Sequence, residues 1–242
     1  MGDPITPLKQ NFKYAIDLTR FYLGTTIIIH SSSFPIINIF NLNKWTPDPS
    51  FRIDTPRLFL SHCSPDNPED IDFFITLSCL LSVTGEGTPR EEMKTLMRQR
   101  NAQALRFGWP GWFRVTLKET GRLIGKCTLV RARPCPEELW WPAPDIGFTF
   151  LPEARGKGYA TEAAKALIAW AQETHNVKEV LGFCAVGNEK SRQALERLGL
   201  VKWGQGEITM LNLEDPETMV FGAPGRTSLE GYVDQNKLRI IG

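Results

Sequence analysis

The chain has 242 residues, which suits one domain with additional segments better than two average domains. Hydrophobic residues make up 42% of it, a fraction typical of soluble globular proteins, so a chain that is disordered throughout is excluded. With 28 Lys and Arg against 27 Asp and Glu, the net charge of +1 gives no overall field for a polyanion, which argues against nucleic-acid binding.

The cysteines, the histidines and the apolar stretches exclude several further classes of protein. The five cysteines form no C-x-x-C pair and fit neither a disulfide framework nor a zinc site, so we expect no metal and a reducing, cytoplasmic location. The G-x-S-x-G and H-E-x-x-H motifs of serine hydrolases and zinc proteases are absent. The most apolar stretch, 21–42, is broken by His30, Pro35 and Asn38, so it predicts no membrane span.

The main domain is expected to begin after a Pro-rich break at 43–50. This places an N-terminal extension of unknown role at 1–52, the domain at 53–223 and a C-terminal tail at 224–242. Its first half is predicted to contain a strand over 57–60, a helix that Asn67 caps ahead of Pro68, a helix over 90–105, and a hairpin of strands over 112–117 and 122–130.

The second half of the domain alternates strands and helices. Buried strands are predicted over 145–151 and 179–185, and Asn188 caps a last helix that Gly199 ends. A strand-helix-strand unit is parallel in nearly all cases, so the fold class is α/β with a mixed sheet. The long helix between the two strands shows small and apolar residues at i, i+3, i+4, i+7, i+8 and i+11, namely Ala160, Ala163, Ala164, Leu167, Ile168 and Ala171.

A glycine-rich turn precedes this long helix. Gly156 and Gly158 expose consecutive N–H groups at the positive end of the helix dipole, and Arg155 and Lys157 add positive charge. The turn therefore predicts a site for a diphosphate, unless it is only a tight turn that binds nothing. The spacing of an ATP- or GTP-binding Walker loop is absent, and the G-x-G-x-x-G dinucleotide motif fails because Thr161 occupies its third glycine position.

The same turn fits the pattern [QR]-x-x-G-x-[GA] through Arg155, Gly158 and Ala160, and so resembles the acetyl-CoA loop of the GNAT acetyltransferase superfamily. The segments IGFTFLPEARGKGYATEAAKAL and NEKSRQALERLGL look like the branch that contains the ribosomal-protein-alanine acetyltransferases. The likeness covers about 53–221 in the order of elements and 145–200 in specific residues. It implies a fold of about seven strands flanked by about four helices, with acetyl-CoA as co-substrate.

The resemblance also implies which residues bind coenzyme A. In that family the pantetheine arm lies between two diverging parallel strands, so Phe148, Thr149 and Phe150 are the expected backbone contacts. Asn188 is expected to bond the pantetheine or acyl carbonyl, although a helix cap explains it equally well. The expected diphosphate contacts are the N–H groups of Arg155, Gly156, Lys157, Gly158, Tyr159 and Ala160.

Catalytic and acceptor residues follow from the same resemblance. Ser191 matches a Ser near the thioester sulfur and is a candidate for protonating the leaving thiolate, or else merely faces inward. Asp145 falls where many members carry a Glu, which makes it the candidate general base, or the residue that ends the preceding loop. Trp140 and Trp141 are expected to wall the acceptor pocket, or to pack beneath Pro-rich loops.

These inferences predict an acetyl-CoA-dependent N-acetyltransferase, a monomer or homodimer, that moves an acetyl group directly to a primary amine. The acceptor is either a protein N-terminus or a small amine. One alternative is a non-catalytic acyl-CoA-binding module that keeps the loop without a base. Another is acyl transfer to oxygen or to a specialised small-molecule acceptor.

Overall fold

The computed structural model describes residues 45–82, 84–131, 143–207 and 217–225. Trp140 and Trp141 lie outside these ranges, as do most of the N-terminal extension and of the C-terminal tail. The described strands are β1 (Ile53–Asp54), β2 (Leu58–His62), β3 (Trp112–Leu117), β4 (Leu123–Val130), β5 (Asp145–Phe150), β6 (Leu181–Ala185), β7 (Val201–Glu207) and β8 (Glu217–Gly222). The described helices are α1 (Pro68–Cys79), α2 (Arg90–Ala102), α3 (Ala104–Phe107), α4 (Tyr159–His175) and α5 (Glu189–Arg197), with a 3₁₀ turn at Pro152–Ala154.

The eight described strands form one sheet in the order β1-β2-β3-β4-β5-β6-β8-β7. Only β5 and β6 pair in parallel, and they are the strands on either side of α4; every other neighbouring pair is antiparallel. The predicted α/β class with a mixed sheet is therefore confirmed. About seven strands were expected, and the described sheet has one more, with β1 only two residues long.

Helix α4 covers one face of the sheet, where it packs across β1, β2, β4 and β5. Three residues of α4 that face the sheet, Ala163, Ala164 and Leu167, are completely buried. Small side chains on this face let the helix backbone approach the strands closely, as the spacing of the alanines predicts. The sheet therefore fixes the position of the helix N-terminus.

The predicted helix over 90–105 is divided at Gln103 into α2 and α3. The buried Gln103 side chain donates a hydrogen bond to the Leu129 carbonyl at 2.9 Å and accepts one from the Arg131 N–H at 2.9 Å. These bonds attach the chain to the end of β4 at the point where α2 ends. A long-range contact, which local periodicity does not report, thus accounts for the difference.

The last residues of the predicted N-terminal extension contact the sheet at His62. The Phe51 ring stacks on the His62 ring with centroids 4.0 Å apart, and the Asp48 N–H donates to His62 Nδ1 at 3.1 Å. Burial lowers the pKa of His62 to about 4, so the imidazole is neutral near pH 7 and can accept this bond.

None of the helices in the described part of the chain is long and apolar enough to cross a membrane.

Candidate active site

A crevice opens where β5 and β6 diverge. The two strands pair only at Asp145 with Leu181 and at Ile146 with Gly182. Beyond this point β5 stays paired with β4 as far as Phe150, while β6 stays paired with β8 as far as Ala185. The backbone of 147–150 on the side of β6 is therefore open to a ligand that carries amide groups, such as a pantetheine arm.

The glycine turn lies at the open end of this crevice. Gly156 and Gly158 have φ values of 75° and 78°, in the left-handed region that glycine adopts at little cost. Gly158 is the N-cap of α4 and provides no side-chain cap, so the first N–H groups of the helix have no capping partner there. With the helix dipole behind them, these groups can bind an anion.

Helix α5 forms the opposite wall and begins at Asn188. The Asn188 Oδ1 atom accepts a hydrogen bond from the Ser191 N–H at 3.1 Å, so this side chain does cap the helix. The Asn188 Nδ2 group donates no hydrogen bond within the described residues, so it can donate one to a ligand carbonyl. Capping and ligand binding are therefore compatible at this position.

The crevice, the glycine turn and α5 enclose one cavity of about 690 Å³, a volume within the usual range for ligand sites. Ten of the twelve predicted site residues in the described ranges line it, and their roles in binding stay predictions. These ten are Phe148, Thr149, Phe150, Arg155, Gly156, Gly158, Tyr159, Ala160, Asn188 and Ser191.

The other two predicted site residues in the described ranges, Lys157 and Asp145, do not line the cavity. The Lys157 side chain is exposed, and the Lys157 carbonyl accepts a hydrogen bond from Arg57 Nη1 at 3.0 Å. Asp145 is half-buried at the closed end of the crevice, where β5 and β6 still pair. It lies three residues before Phe148, or about 10 Å along the strand.

The cavity carries positive charge from side chains that the sequence pattern had not singled out. Lys190 and Arg197 line it together with Arg155, whose Nε donates to the Phe150 carbonyl at 2.9 Å. No Asp, Glu or His is among the described lining residues. This balance favours a ligand with several negative charges, as a coenzyme A diphosphate and phosphate would supply.

Other lining residues were also missed. Gln193 and Arg197 share a helical face with Lys190, at i+3 and i+7, so the helical period could have indicated them. Leu80 and Leu81 follow α1 and are 38% and 54% exposed, and only the tertiary fold brings them to the cavity.

Cys184, on β6, does not line the cavity. Burial raises the pKa of its thiol to about 11, so it is protonated near neutral pH and packs as a small apolar side chain, as its position in a buried strand predicts. Among the described residues, no three His, Cys, Asp or Glu side chains are grouped so that they could hold a metal ion.

A strand-helix crossover, diverging parallel strands and a glycine turn at a helix N-terminus make up an α/β fold of the kind that the resemblance in sequence implies. A sequence model of the family described as the acetyltransferase (GNAT) domain matches residues 57–201, more than half of the chain. The chain therefore belongs to the GNAT acetyltransferase family, and the predicted resemblance is confirmed.

Individual relatives agree with this membership. The protein named "Putative ribosomal N-acetyltransferase YdaF", from Bacillus subtilis (strain 168), is 41% identical over 61 residues, which are 25% of this chain and 33% of that relative. The alignment thus spans about a third of the curated relative. The solved acetyltransferase from Agrobacterium tumefaciens str. C58 is 26% identical with a TM-score of 0.54, over 74% of this chain and 96% of that one.

The fold is also that of RimL, the ribosomal L7/L12 alpha-N-protein acetyltransferase, solved in complex with coenzyme A. It superposes with a TM-score of 0.57 over 71% of this chain and 97% of that chain. At 14% identity this similarity concerns the fold alone.

Proposed function

We propose that the protein is an acetyl-CoA-dependent N-acetyltransferase that acts on a primary amine. The observation that carries the proposal is the continuity of one cavity from the Gly158 helix N-terminus to the divergence of β5 and β6. Such a cavity can hold a diphosphate at one end and the amide groups of a pantetheine arm along the other. The positive charge of Arg155, Lys190 and Arg197 supports the same ligand.

The acceptor is a protein N-terminus or a small amine, and the names of the relatives favour the former. In the reaction, the neutral amine nitrogen bonds to the acetyl carbon and the bond between that carbon and sulfur breaks. The amine loses one proton and the sulfur gains one, so an amide and free coenzyme A are formed without an acyl-enzyme intermediate. The reaction therefore needs an acceptor for the amine proton and a donor for the sulfur.

Ser191 and Asp145 are our candidates for these two groups. Ser191 lines the cavity at the start of α5, so its hydroxyl can supply a proton to the leaving sulfur. Asp145 lies at the closed end of the crevice, beyond Phe148, on the side away from the glycine turn. Because this separation is about 10 Å along the strand, Asp145 would receive the amine proton through water.

Coenzyme A binding and product formation test the proposal in two steps. Calorimetry with coenzyme A measures the first, and incubation with acetyl-CoA and a panel of N-terminal peptides and small amines, followed by mass spectrometry, measures the second. We expect saturable binding and a product about 42 Da heavier than one class of amine, the mass that replacing one hydrogen by an acetyl group adds by the balance above. Absence of coenzyme A binding would refute the assignment of the site.

The role of Asp145 has its own test. We expect Asp145→Asn to lower kcat about a hundredfold or more, the usual contribution of a general base, and to leave the Kd of coenzyme A unchanged. Asp66→Asn is the matched control, because the Asp66 side chain is 79% exposed and bonds to Arg98 on α2. An unchanged kcat in Asp145→Asn would refute this residue as the base and leave the acetyltransferase proposal intact.

A second candidate is a non-catalytic acyl-CoA-binding module. The observation that favours it is that no carboxylate or imidazole lines the described part of the cavity. Coenzyme A binding with no thiol release above background across the whole amine panel would support this candidate. A product acylated on oxygen would instead assign the protein to acyl transfer to hydroxyl groups.

A further inference from the structure

Arg57, far from the glycine turn in sequence, is bonded both to this turn and to the helix that follows it. It lies between β1 and β2, and its Nη1 atom donates to the Lys157 carbonyl, just before Gly158, at 3.0 Å. Its Nε and Nη2 atoms each lie 2.6 Å from Oε2 of Glu162, in the first turn of α4. One guanidinium therefore joins Lys157, which precedes the helix N-cap, to the first turn of the helix.

The rest of this cluster fixes the Glu162 carboxylate. The Arg57 backbone N–H donates to Glu162 Oε1 at 2.9 Å, and the Thr55 hydroxyl donates to the same atom at 2.6 Å. The Glu162 side chain is only 16% exposed, and the Arg57 guanidinium carbon lies 4.6 Å from the centre of the Tyr159 ring. The Arg57 side chain is 48% exposed, so the network lies at the surface, but several charge-assisted hydrogen bonds hold Glu162 where a simple surface ion pair would have one.

Burial acts to raise the pKa of Glu162, but the hydrogen bonds from Thr55 and Arg57 and the guanidinium charge outweigh it, so the pKa lies below its ordinary value. Glu162 is therefore ionised at neutral pH. Its negative charge in the first turn of α4 would oppose a phosphate at the helix N-terminus, and Arg57 compensates this charge.

The bond to Lys157 also orients the turn. The C=O and N–H groups of a trans peptide point in opposite directions, so a Lys157 carbonyl held toward Arg57 turns the Gly158 N–H away from it. Gly158 lines the cavity, whereas Arg57 does not. The arginine thus acts on the site through the backbone.

We propose that Arg57 is a positioning residue for coenzyme A, holding the 157–158 peptide and neutralising Glu162 so that the N-terminus of α4 binds the diphosphate. The proposal rests on the proposed function, because it assumes that coenzyme A is the ligand. It predicts that Arg57 matters for the phosphate-bearing part of the ligand and not for its pantetheine arm.

The test compares coenzyme A with pantetheine, which has no phosphate. We expect Arg57→Gln to weaken coenzyme A binding about ten- to hundredfold, the range for losing charge-assisted hydrogen bonds, with pantetheine binding unchanged. Arg57→Lys keeps the charge, but one ammonium cannot reproduce the guanidinium fork, so a loss of about three- to tenfold is expected. Calorimetry measures the first ligand and ligand-observed NMR the second, at a temperature where every variant is folded.

Arg122→Gln is the matched control, since Arg122 pairs with Glu153 at 3.6 Å and both side chains are more than half exposed. It should bind both ligands as the wild type does. Wild-type affinity for coenzyme A in both Arg57 variants would overturn the positioning role alone, and so would an equal loss of both ligands, which indicates a general structural defect. A wild type that binds no coenzyme A would overturn the proposed function as well.

Discussion

Gly158 offers the most direct test of where the diphosphate binds. It caps α4 with a φ of 78° and lines the cavity, and a Cβ atom added to it would lie 3.4 Å from Arg57 Nη2. Gly158→Asp therefore places a carboxylate at the helix N-terminus, where we propose that phosphate binds. Gly158→Asn is the matched control, because Asn has nearly the same shape without the charge, and both residues tolerate left-handed backbone better than other side chains do.

The expected loss has a backbone part and a charge part. Left-handed backbone costs an L-residue about 1–2 kcal/mol, and this cost reduces the stability of both variants. Two like charges about 4 Å apart repel by about 4 kcal/mol at an effective dielectric constant of about 20. Arg57 offsets some of this repulsion, so we expect coenzyme A to bind the Gly158→Asp variant about 1.5–3 kcal/mol more weakly than the Gly158→Asn variant, about ten- to hundredfold in Kd.

Calorimetry with coenzyme A at low and high ionic strength measures this difference, and thermal unfolding followed by circular dichroism measures the shared cost in stability. Because salt screens exposed charges, the gap between the Asp and Asn variants should narrow as the salt concentration rises. Equal affinity of the two variants at low salt would show that no phosphate lies at this helix N-terminus. The assignment of the cavity to coenzyme A would then fail.

Two further substitutions test the packing and the protonation states that support the site. Gly182→Ala adds a Cβ only 2.5 Å from Cδ2 of the buried Leu195, so the Leu195 side chain or α5 must shift, and we expect the free energy of unfolding in denaturant to fall by about 1–3 kcal/mol. Unchanged stability would contradict this close approach. His62→Phe removes an imidazole whose pKa is lowered to about 4, mainly by burial. As the pH falls, the unfolded chain takes up a proton near pH 6.5 and the folded chain only near pH 4, so wild-type stability should decrease across this window. The variant should show a shallower decrease in denaturant titrations, and parallel curves would contradict the buried, neutral state of His62.

The features that local chemistry determines could be predicted from the sequence. The spacing of Ala160, Ala163 and Ala164 predicts α4 because a helix brings these positions to one face, and the glycine turn predicts its N-terminus. Asn188 was expected as a cap because its side chain can reach the N–H group three residues on, and it does. Local period and turn chemistry were sufficient for these elements.

The features that depend on contacts between distant segments could not be predicted. Arg57 and Glu162 are 105 positions apart, and no local pattern indicates that they bond. Leu80 and Leu81 reach the cavity only through the packing of the helices on the sheet. The strands β1, β7 and β8 were not delimited individually either, since two residues are too few to show a period and glycines at 204 and 206 interrupt β7.

The same packing explains how a residue on the β1–β2 turn would act on the proposed coenzyme A site. Helix α4 is 17 residues long, about 26 Å, and lies across β1, β2, β4 and β5 on buried alanines, so its N-terminus is fixed relative to all four strands. Its first turn thus meets Arg57, and Gly158, at its N-cap, lines the cavity. The crevice between β5 and β6 belongs to the same sheet, so both ends of the cavity are built on one rigid framework. A site of this kind loses little conformational entropy when it binds a long ligand. A change that loosens the glycine turn should therefore reduce the affinity for the ligand more than it reduces the stability of the fold.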